Sequence, residues 1–507
     1  MDNDRLNILQ VNTADRPGGA ERVAWNLLRE YRRRSHGSWL AVGRKQSHDA
    51  NVRVLRHDTT GGRWQRFWWS VHHESQPIYG RVPGARFLCR VAHQMAAPTG
   101  WQESRRGVEN FDYPGSEGLL DLAEHGPDIV HGHNLHGNYF DLRALPQLCR
   151  RVPVVLTLHD AWLLSGHCAH SMNCQRWQTG CGQCPDLSLY PAVRRDATAE
   201  NWRRKRAILS ECRLRVATPS RWLMDKVERS IVSPAIVEGR VIPNGVDRSV
   251  FHPADAGTVR SRLGVPADAF VALFTACGIR RNPWKDFATL RAAMERVASR
   301  NRNRKLLFIA LGERGPRERI GGADVRFVSH VIKSAEVAAY YQAADVYIHA
   351  ARADTFPNSV IEALACGTPV AATAVGGIPE QVRSISDVAE AAAQAPSAGR
   401  PTGFLTPPGD AAAMAMAIER LLCDERLRLR LGANAAADAA TRFGLRQQAD
   451  TYLSWYRRIF AERHRPAVPR PQPSPPADAP PPYGANNTMT IAGRSGRLTA
   501  PSPLKSP

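Results

Sequence analysis

Two successive series of short apolar runs, each followed by a turn and a helical segment, leave this chain few folds to adopt. The first series is LNILQVNT (6–13), DIVHGHN (128–134), VPVVLTLHD (152–160) and LRVATPS (214–220). The second is AFVALFTACG (269–278), KLLFIALGE (305–313), VRFVSHV (325–331), DVYIHA (345–350) and TPVAAT (368–373). Short runs that are mostly apolar suit strands buried on both faces of a parallel sheet. Repeated strand–helix alternation builds a doubly wound α/β layer. The turn-rich joint VIPNGVDRSVFHP (241–253) separates the two series. The expectation is therefore two doubly wound domains facing each other, over residues 1–245 and 246–440, with a closing helix over 441–464.

Two segments stand outside this pattern. Residues 61–116 interrupt the first domain and carry Trp64, Phe67, Trp68 and Trp69 with several arginines. They are either helix packed on the domain or an aromatic, basic face toward a membrane or an acceptor. Residues 465–507 open with RPAVPRPQPSPPADAPPP, and this composition predicts a disordered tail without a catalytic role.

The 507 residues are 43% hydrophobic, which is globular composition. No run is long enough to span a bilayer, and the N-terminus MDNDRLNILQVNT lacks a signal layout, so a soluble cytoplasmic protein is expected. The net charge of +21 calls for an anionic partner. The cations are spread along the chain and no basic-aromatic nucleic-acid module accompanies them, which favours a phosphorylated sugar or an anionic lipid over nucleic acid. Four of the ten cysteines crowd into GHCAHSMNCQRWQTGCGQCP: Cys168, Cys174, Cys181 and Cys184. Their number suits a structural tetrahedral zinc; free thiols or a redox pair are the alternative. Four thiolates would leave no open position for catalysis.

In open α/β sheets ligands bind beyond the carboxyl ends of the strands. Strand 6–13 runs into Arg16-Pro17-Gly18-Gly19-Ala20-Glu21, where adjacent glycines let backbone approach a ligand at a helix start. Strand 152–158 ends in His159-Asp160. Strand 270–277 runs into Gly278-Ile279-Arg280-Arg281-Asn282-Pro283-Trp284-Lys285, where arginine and lysine can hold a diphosphate. The strand at 345–349 leads into RADTFPNSVIEALACGTPVAAT (352–373). Ser359 and Glu362 there fit a capping box. Capping leaves Asp354 unexplained. Two acids flanking a phosphate at the helix start would accept hydrogen bonds from hydroxyls on either side, transferred sugar on one and ribose on the other. That constellation asks for a nucleotide sugar.

These motifs resemble the family 4 glycosyltransferases of the GT-B fold. The acid-x7-acid stretch is similar to the family's Glu-x7-Glu signature, with Asp354 in place of the first glutamate. PGGAERVA, TLHDAW, ATPSRWL, IPNGVDRSVF and FPNSVIEALACGTPVAATAVGGIPE fall in the family's order, over roughly residues 6–460. HNLHGNY and the cysteine-rich segment further resemble a subgroup of colanic-acid and exopolysaccharide transferases. The resemblance implies a retaining, metal-independent glycosyltransferase (EC 2.4 class) needing no cofactor. It would move sugar from a nucleotide-diphosphate donor to a glycan or lipid-linked acceptor, as a peripheral protein of the inner membrane face. It implies donor contacts from Gly18, Gly19, Lys285, Arg280 or Arg281, Phe356, Pro357, Asn358, Ser359 and Glu362. His159 and Asp354 would stand at the reacting sugar. The competing expectation is a non-catalytic GT-B protein that binds sugar nucleotides.

Overall fold

The computed structural model describes residues 5–16, 18–59, 61–78, 82–280, 282–385 and 399–464. The expected Pro-rich tail, 465–507, lies outside them.

Each apolar series supplies the central strands of one sheet, and strands outside the expected runs extend it: 37–44, 52–54 and 236–241 in the first, 318–320 and 403–406 in the second. The first comprises β1 (Asn7–Ala14), β2 (Gly37–Arg44), β3 (Val52–Val54), β4 (Ile129–Gly132), β5 (Val154–Thr157), β6 (Leu214–Thr218) and β7 (Ile236–Val241). Its order is β3-β2-β1-β4-β5-β6-β7, parallel throughout. The second comprises β8 (Phe270–Thr275), β9 (Leu306–Leu311), β10 (Glu318–Ile320), β11 (Ala323–Val328), β12 (Val346–His349), β13 (Val370–Thr373) and β14 (Gly403–Thr406). Its order is β10-β11-β9-β8-β12-β13-β14, and only the β10–β11 edge pair is antiparallel. In both sheets the direction of winding reverses beside the first strand, between β1 and β4 and between β8 and β12. A crevice opens at such a reversal because successive crossovers leave on opposite faces. The two doubly wound layers expected from the sequence are therefore present, with their reversals on the strands that carry the candidate motifs.

The interruption of the first sheet is helical: α1 (Gly19–Arg33) precedes β2, and α2 (Arg63–Ser75), α3 (Ala85–Ala96) and α4 (Pro98–Arg106) lie between β3 and β4. The closing helix, Leu445–Arg463, returns to the first sheet. Tyr452, Trp455, Tyr456 and Ile459 pack with Leu6, Ile8, Val23, Leu27 and Tyr31 in one buried cluster. Its polar atoms are paired as burial requires. The Tyr452 hydroxyl lies 2.8 Å from Thr157 Oγ1, the Tyr456 hydroxyl 2.7 Å from His131 Nδ1, and Trp455 Nε1 donates to Glu238 at 2.7 Å. No helix among the described residues is long and apolar enough to cross a membrane.

Candidate functional site between the two sheets

Lys285 is the centre of the second sheet's contribution. Two loops bring it there. The segment after β8 and the segment after β12 zip together: Lys285 bridges Ala351, Asp286 N donates to the Ala350 carbonyl at 3.0 Å, and Arg352 N donates to the Trp284 carbonyl at 2.8 Å. The Lys285 ammonium then donates to Asp354 Oδ2 at 2.5 Å and sits 3.1 Å from His349 Nε2, at the end of β12. His349 Nδ1 meets the Tyr347 hydroxyl at 3.0 Å, which meets Thr275 Oγ1 at 3.1 Å. Burial pushes the Asp354 carboxyl up, but Lys285 and then His349 outweigh it and hold Asp354 well below the usual carboxylate range. Burial, reinforced by the Lys285 charge, lowers His349 to about 4, so it is neutral and accepts from the ammonium.

Backbone also packs against the Asp354 turn: Gly377 N donates to the Asp354 carbonyl at 3.3 Å. Gly376 has φ +57°, and a Cβ there would fall 1.7 Å from the Asp354 carbonyl oxygen. Gly376→Ala is expected to cost about 1–3 kcal/mol, from strain at a left-handed position and the clash. Urea denaturation checks this; a change within about 0.5 kcal/mol would mean that the turn yields freely.

The expected capping box is absent. The helix Asn358–Ala365 begins behind Pro357 and no side chain caps it. Ser359 partners the Tyr347 hydroxyl. Glu362 is drawn off by stronger partners: Oε1 accepts from Arg22 of α1 at 2.5 Å, and Oε2 accepts from the Tyr341 hydroxyl at 3.1 Å. A charge-assisted bond to arginine outcompetes a backbone N–H in the first turn. The uncapped terminus retains first-turn N–H groups for an anion.

Arg22 and Glu362 join the two halves, and further contacts surround them. Asn358 Nδ2 donates to the Gly19 carbonyl at 3.1 Å, and its Oδ1 accepts from Asn244 at 2.9 Å. Thr355 Oγ1 donates to the His159 carbonyl at 2.6 Å. The rings of His170 and Trp284 meet at 4.8 Å. Gly18 is the N-cap of α1 with φ +141°, and a Cβ there would fall 2.0 Å from Glu21 Oε2. The predicted residues Gly18, Gly19, His159, Lys285, Asp354, Asn358 and Glu362 thus converge on one cleft.

The remaining predicted residues divide. Phe356 is buried against Phe443 at 5.8 Å, a packing role, and the Pro357 carbonyl accepts from Gln381 at 3.0 Å. Arg280, expected beside Lys285 on a diphosphate, instead pairs with Glu313 at 2.7 Å and covers the Phe327 ring. Glu313, two residues beyond β9, captures it, and nothing within the Arg280 loop points to that partner. Arg281 lies outside the described residues, as does Pro17. Cys168, Cys174, Cys181 and Cys184 are free thiols. Among the described residues no three His, Cys, Asp or Glu side chains are arranged to hold a metal ion. Burial and, secondarily, the neighbouring thiols of the same cluster raise the pKa values of Cys168, Cys181 and Cys184. Individual contacts occupy two of these thiols: Cys181 Sγ accepts from Gly166 N at 3.2 Å, and Cys184 Sγ lies 3.4 Å from His167 Nε2.

The first sheet adds groups that the sequence reading missed. His159 Nε2 lies 3.0 Å from His133 Nδ1, and His133 Nε2 lies 3.0 Å from Gln10 Oε1. With the Gln10 carbonyl accepting, His133 carries its proton on Nε2 and His159 carries its own on Nε2, which leaves His159 Nδ1 as an acceptor. Burial lowers His159 to about 4, so the ring is neutral. Beside it His136 Nε2 pairs with Asp160 Oδ2 at 2.8 Å, and Asp160 Oδ1 accepts from Trp162 N at 2.9 Å. Burial opposes charge on His136, but the Asp160 carboxylate outweighs burial and raises its pKa. His136 Nδ1 is buried without a hydrogen-bond partner, and His136, His159 and Asp160 line a common cavity. Burial also raises the Glu21 carboxyl, against the charges of His136 and Arg44. His133 and His136 lie just beyond β4, and His349 ends β12. The rule that picked out His159, attention to the carboxyl ends of strands, would have found all three.

Comparison with known proteins agrees with this architecture. Residues 17–250 match the family model described as Glycosyltransferase Family 4, and residues 271–424 match Glycosyl transferases group 1. The Escherichia coli K12 protein WcaC, described as a colanic acid biosynthesis glycosyl transferase, is 33% identical over 160 residues, 29% of this chain and 38% of WcaC. The D-inositol 3-phosphate glycosyltransferase of Kineococcus radiotolerans is 35% identical over 240 residues, 44% of this chain and 52% of that protein. The chain thus spans about half or less of the length of these curated relatives. Among solved structures, sucrose-phosphate synthase of Thermosynechococcus elongatus superimposes with a TM-score of 0.56 at 20% identity, covering 90% of this chain and all of that one. Anabaena HepE in complex with UDP-glucose gives 0.54 at 19%, covering 89% and 100%. At these identities the structural likeness speaks for the fold.

Proposed function

We propose that this chain, which belongs to the family 4 and group 1 glycosyltransferases, moves a sugar with retention from a nucleotide-diphosphate sugar to a glycan or lipid-linked acceptor in cell-surface polysaccharide synthesis. One observation carries the reading: Lys285, Asp354 and the uncapped helix start at Asn358 meet in the cleft that Arg22 and Glu362 close from both sides. WcaC, named for colanic acid biosynthesis, supports the polysaccharide setting, and HepE, solved with UDP-glucose, supports the donor class.

In this reading Lys285 and the helix start hold the donor diphosphate. Asp354 accepts from hydroxyls of the transferred sugar. Glu362 accepts from the ribose, and Arg22 holds its carboxylate in place while the donor is away. The acceptor enters from the His136–Asp160 side. The bond between the anomeric carbon and the diphosphate oxygen breaks with its electron pair leaving on the diphosphate. The acceptor oxygen bonds to that carbon from the same face and passes its proton to the departing diphosphate. The protein's contribution is electrostatic, because fixed cation and backbone dipoles need no reorganisation as charge develops. The reaction so described draws on no metal or other cofactor. Asp354 is one carboxylate at the sugar, so the paired-acid arrangement of glycosidases does not apply.

The test is proton NMR of the product formed from a UDP- or GDP-sugar and lipid-linked acceptor extract. The expected product keeps the donor's anomeric configuration and forms at an unchanged rate in the presence of chelator. An inverted anomer, or turnover that needs added divalent metal, would contradict the mechanism.

A further inference from the structure

The helices that interrupt the first sheet present several large apolar side chains to solvent. In α3 the buried positions are Ala85, Cys89, Ala92 and Ala96. The bulky apolar residues Phe87, Leu88 and Met95 are exposed, Phe87 at 70%. Phe87, Val91 and Met95 follow one another at helical i, i+4 spacing and so share a face. This reverses the usual arrangement, in which bulk is buried and small or polar residues face water. In α2, Trp69 is buried while Trp64 and Phe67 are 59% and 58% exposed. The faces adjoin: Trp64 Nε1 donates to the Met95 carbonyl at 3.2 Å, and Trp68 contacts both Trp64 and Phe67. A contiguous exposed apolar face of this kind marks an interaction site.

Charge selects the partner. Residues 61–107 contain seven arginines and two glutamates. Arg63, Arg66 and Arg90 are exposed on the same two helices. A second copy would bring like charges together across such a face. Nucleic acid would leave Leu88, Val91 and Met95 without an apolar environment. An interface of anionic headgroups over acyl chains satisfies both sets of residues, with aromatic and aliphatic side chains below the headgroups and guanidinium groups among them.

We propose that α2 and α3 form a docking face for an anionic lipid bilayer and hold the protein at that surface. The proposal is independent of the donor chemistry. It gives a physical basis to the membrane-surface expectation raised by the Trp- and Arg-rich sequence.

The test is sedimentation of the full-length protein with phosphatidylglycerol–phosphatidylcholine vesicles and with pure phosphatidylcholine vesicles, at physiological ionic strength. Two variants accompany the wild type: Phe87→Ser with Leu88→Ser, and Arg66→Gln with Arg90→Gln. All four residues are exposed, so both variants are expected to unfold at the wild-type temperature. Wild type is expected to bind the anionic vesicles and not the neutral ones, and each variant to bind at least about ten-fold more weakly. Failure of wild type to sediment with anionic vesicles would overturn the proposal. So would binding that both variants retain. A wild-type dimer that Phe87→Ser with Leu88→Ser converts to monomer would assign the face to a second copy and overturn it as well.

Discussion

Lys285→Ala is expected to lower kcat/KM by about 10²- to 10³-fold, the effect of removing one preorganised group from a developing charge. The Lys285 ammonium contacts Asp354 and His349 at once, and both loops that carry the site close on it. Its loss also leaves the half-buried Asp354 carboxylate without its principal counter-charge. Breaking a fully buried pair costs about 3–5 kcal/mol; this half-buried pair costs less, and Asp354 relieves part of that by taking up a proton as its pKa rises. The two consequences separate in a second variant. Asp354→Asn added to Lys285→Ala removes the stranded charge, so thermal stability should recover while turnover stays low. If stability and activity recovered together, Lys285 would be acting on the fold and not on the donor. If neither changed in the single variant, the Lys285–Asp354 ion pair would carry no weight in this protein.

Acid is expected to destabilise the protein steeply between pH 6.5 and about 4. Burial holds His73, His93, His159 and His349 down to about 4 and His131 to about 3. It also holds His57 and His133 well below the ordinary histidine value. Each is neutral when folded but becomes protonated in the unfolded chain below about pH 6.5. The unfolded state therefore binds more protons throughout this window, and stability falls as pH falls. The slope reaches about 1.4 kcal/mol per pH unit for each such histidine. Two other groups do not cancel it. The raised pKa of His136 adds some stability on the acid side, but it is one group against seven. Asp354, held below the carboxylate range, keeps its contribution until pH falls below this window. The melting temperature at pH 5 should lie about 10 °C or more below that at pH 7. A flat profile between these values would mean that these histidines titrate normally and that the clusters around His57 and His131 are open to water.

The two layers were legible because strand-sized apolar runs, once paired, leave little freedom: β4, β5, β6, β8, β9, β12 and β13 fall within runs marked by composition alone, and β1 passes the end of its run by one residue. The convergence of Gly18, Gly19, His159, Lys285, Asp354, Asn358 and Glu362 on one cleft was legible because the carboxyl ends of such strands lie together. What failed was partner choice across long separations. Glu362 is 340 positions from Arg22, and local spacing gave it to Ser359, three positions away. Arg280 was assigned to a phosphate because nothing within its own loop announces Glu313, 33 positions on. The reversed amphipathicity of α3 lay in the sequence as large residues at 87, 91 and 95 and small ones at 85, 89, 92 and 96, but which face turns inward is settled only by packing.

The central claim is that a nucleotide sugar occupies the cleft between Lys285, Asp354 and Glu362. Isothermal titration of UDP- and GDP-sugars into wild type, Lys285→Ala and Glu362→Gln tests it most directly. One donor should bind wild type and bind each variant at least about ten-fold more weakly, the loss of one charge-assisted contact in each case. Equal affinity for wild type and both variants would place the donor elsewhere and contradict the account.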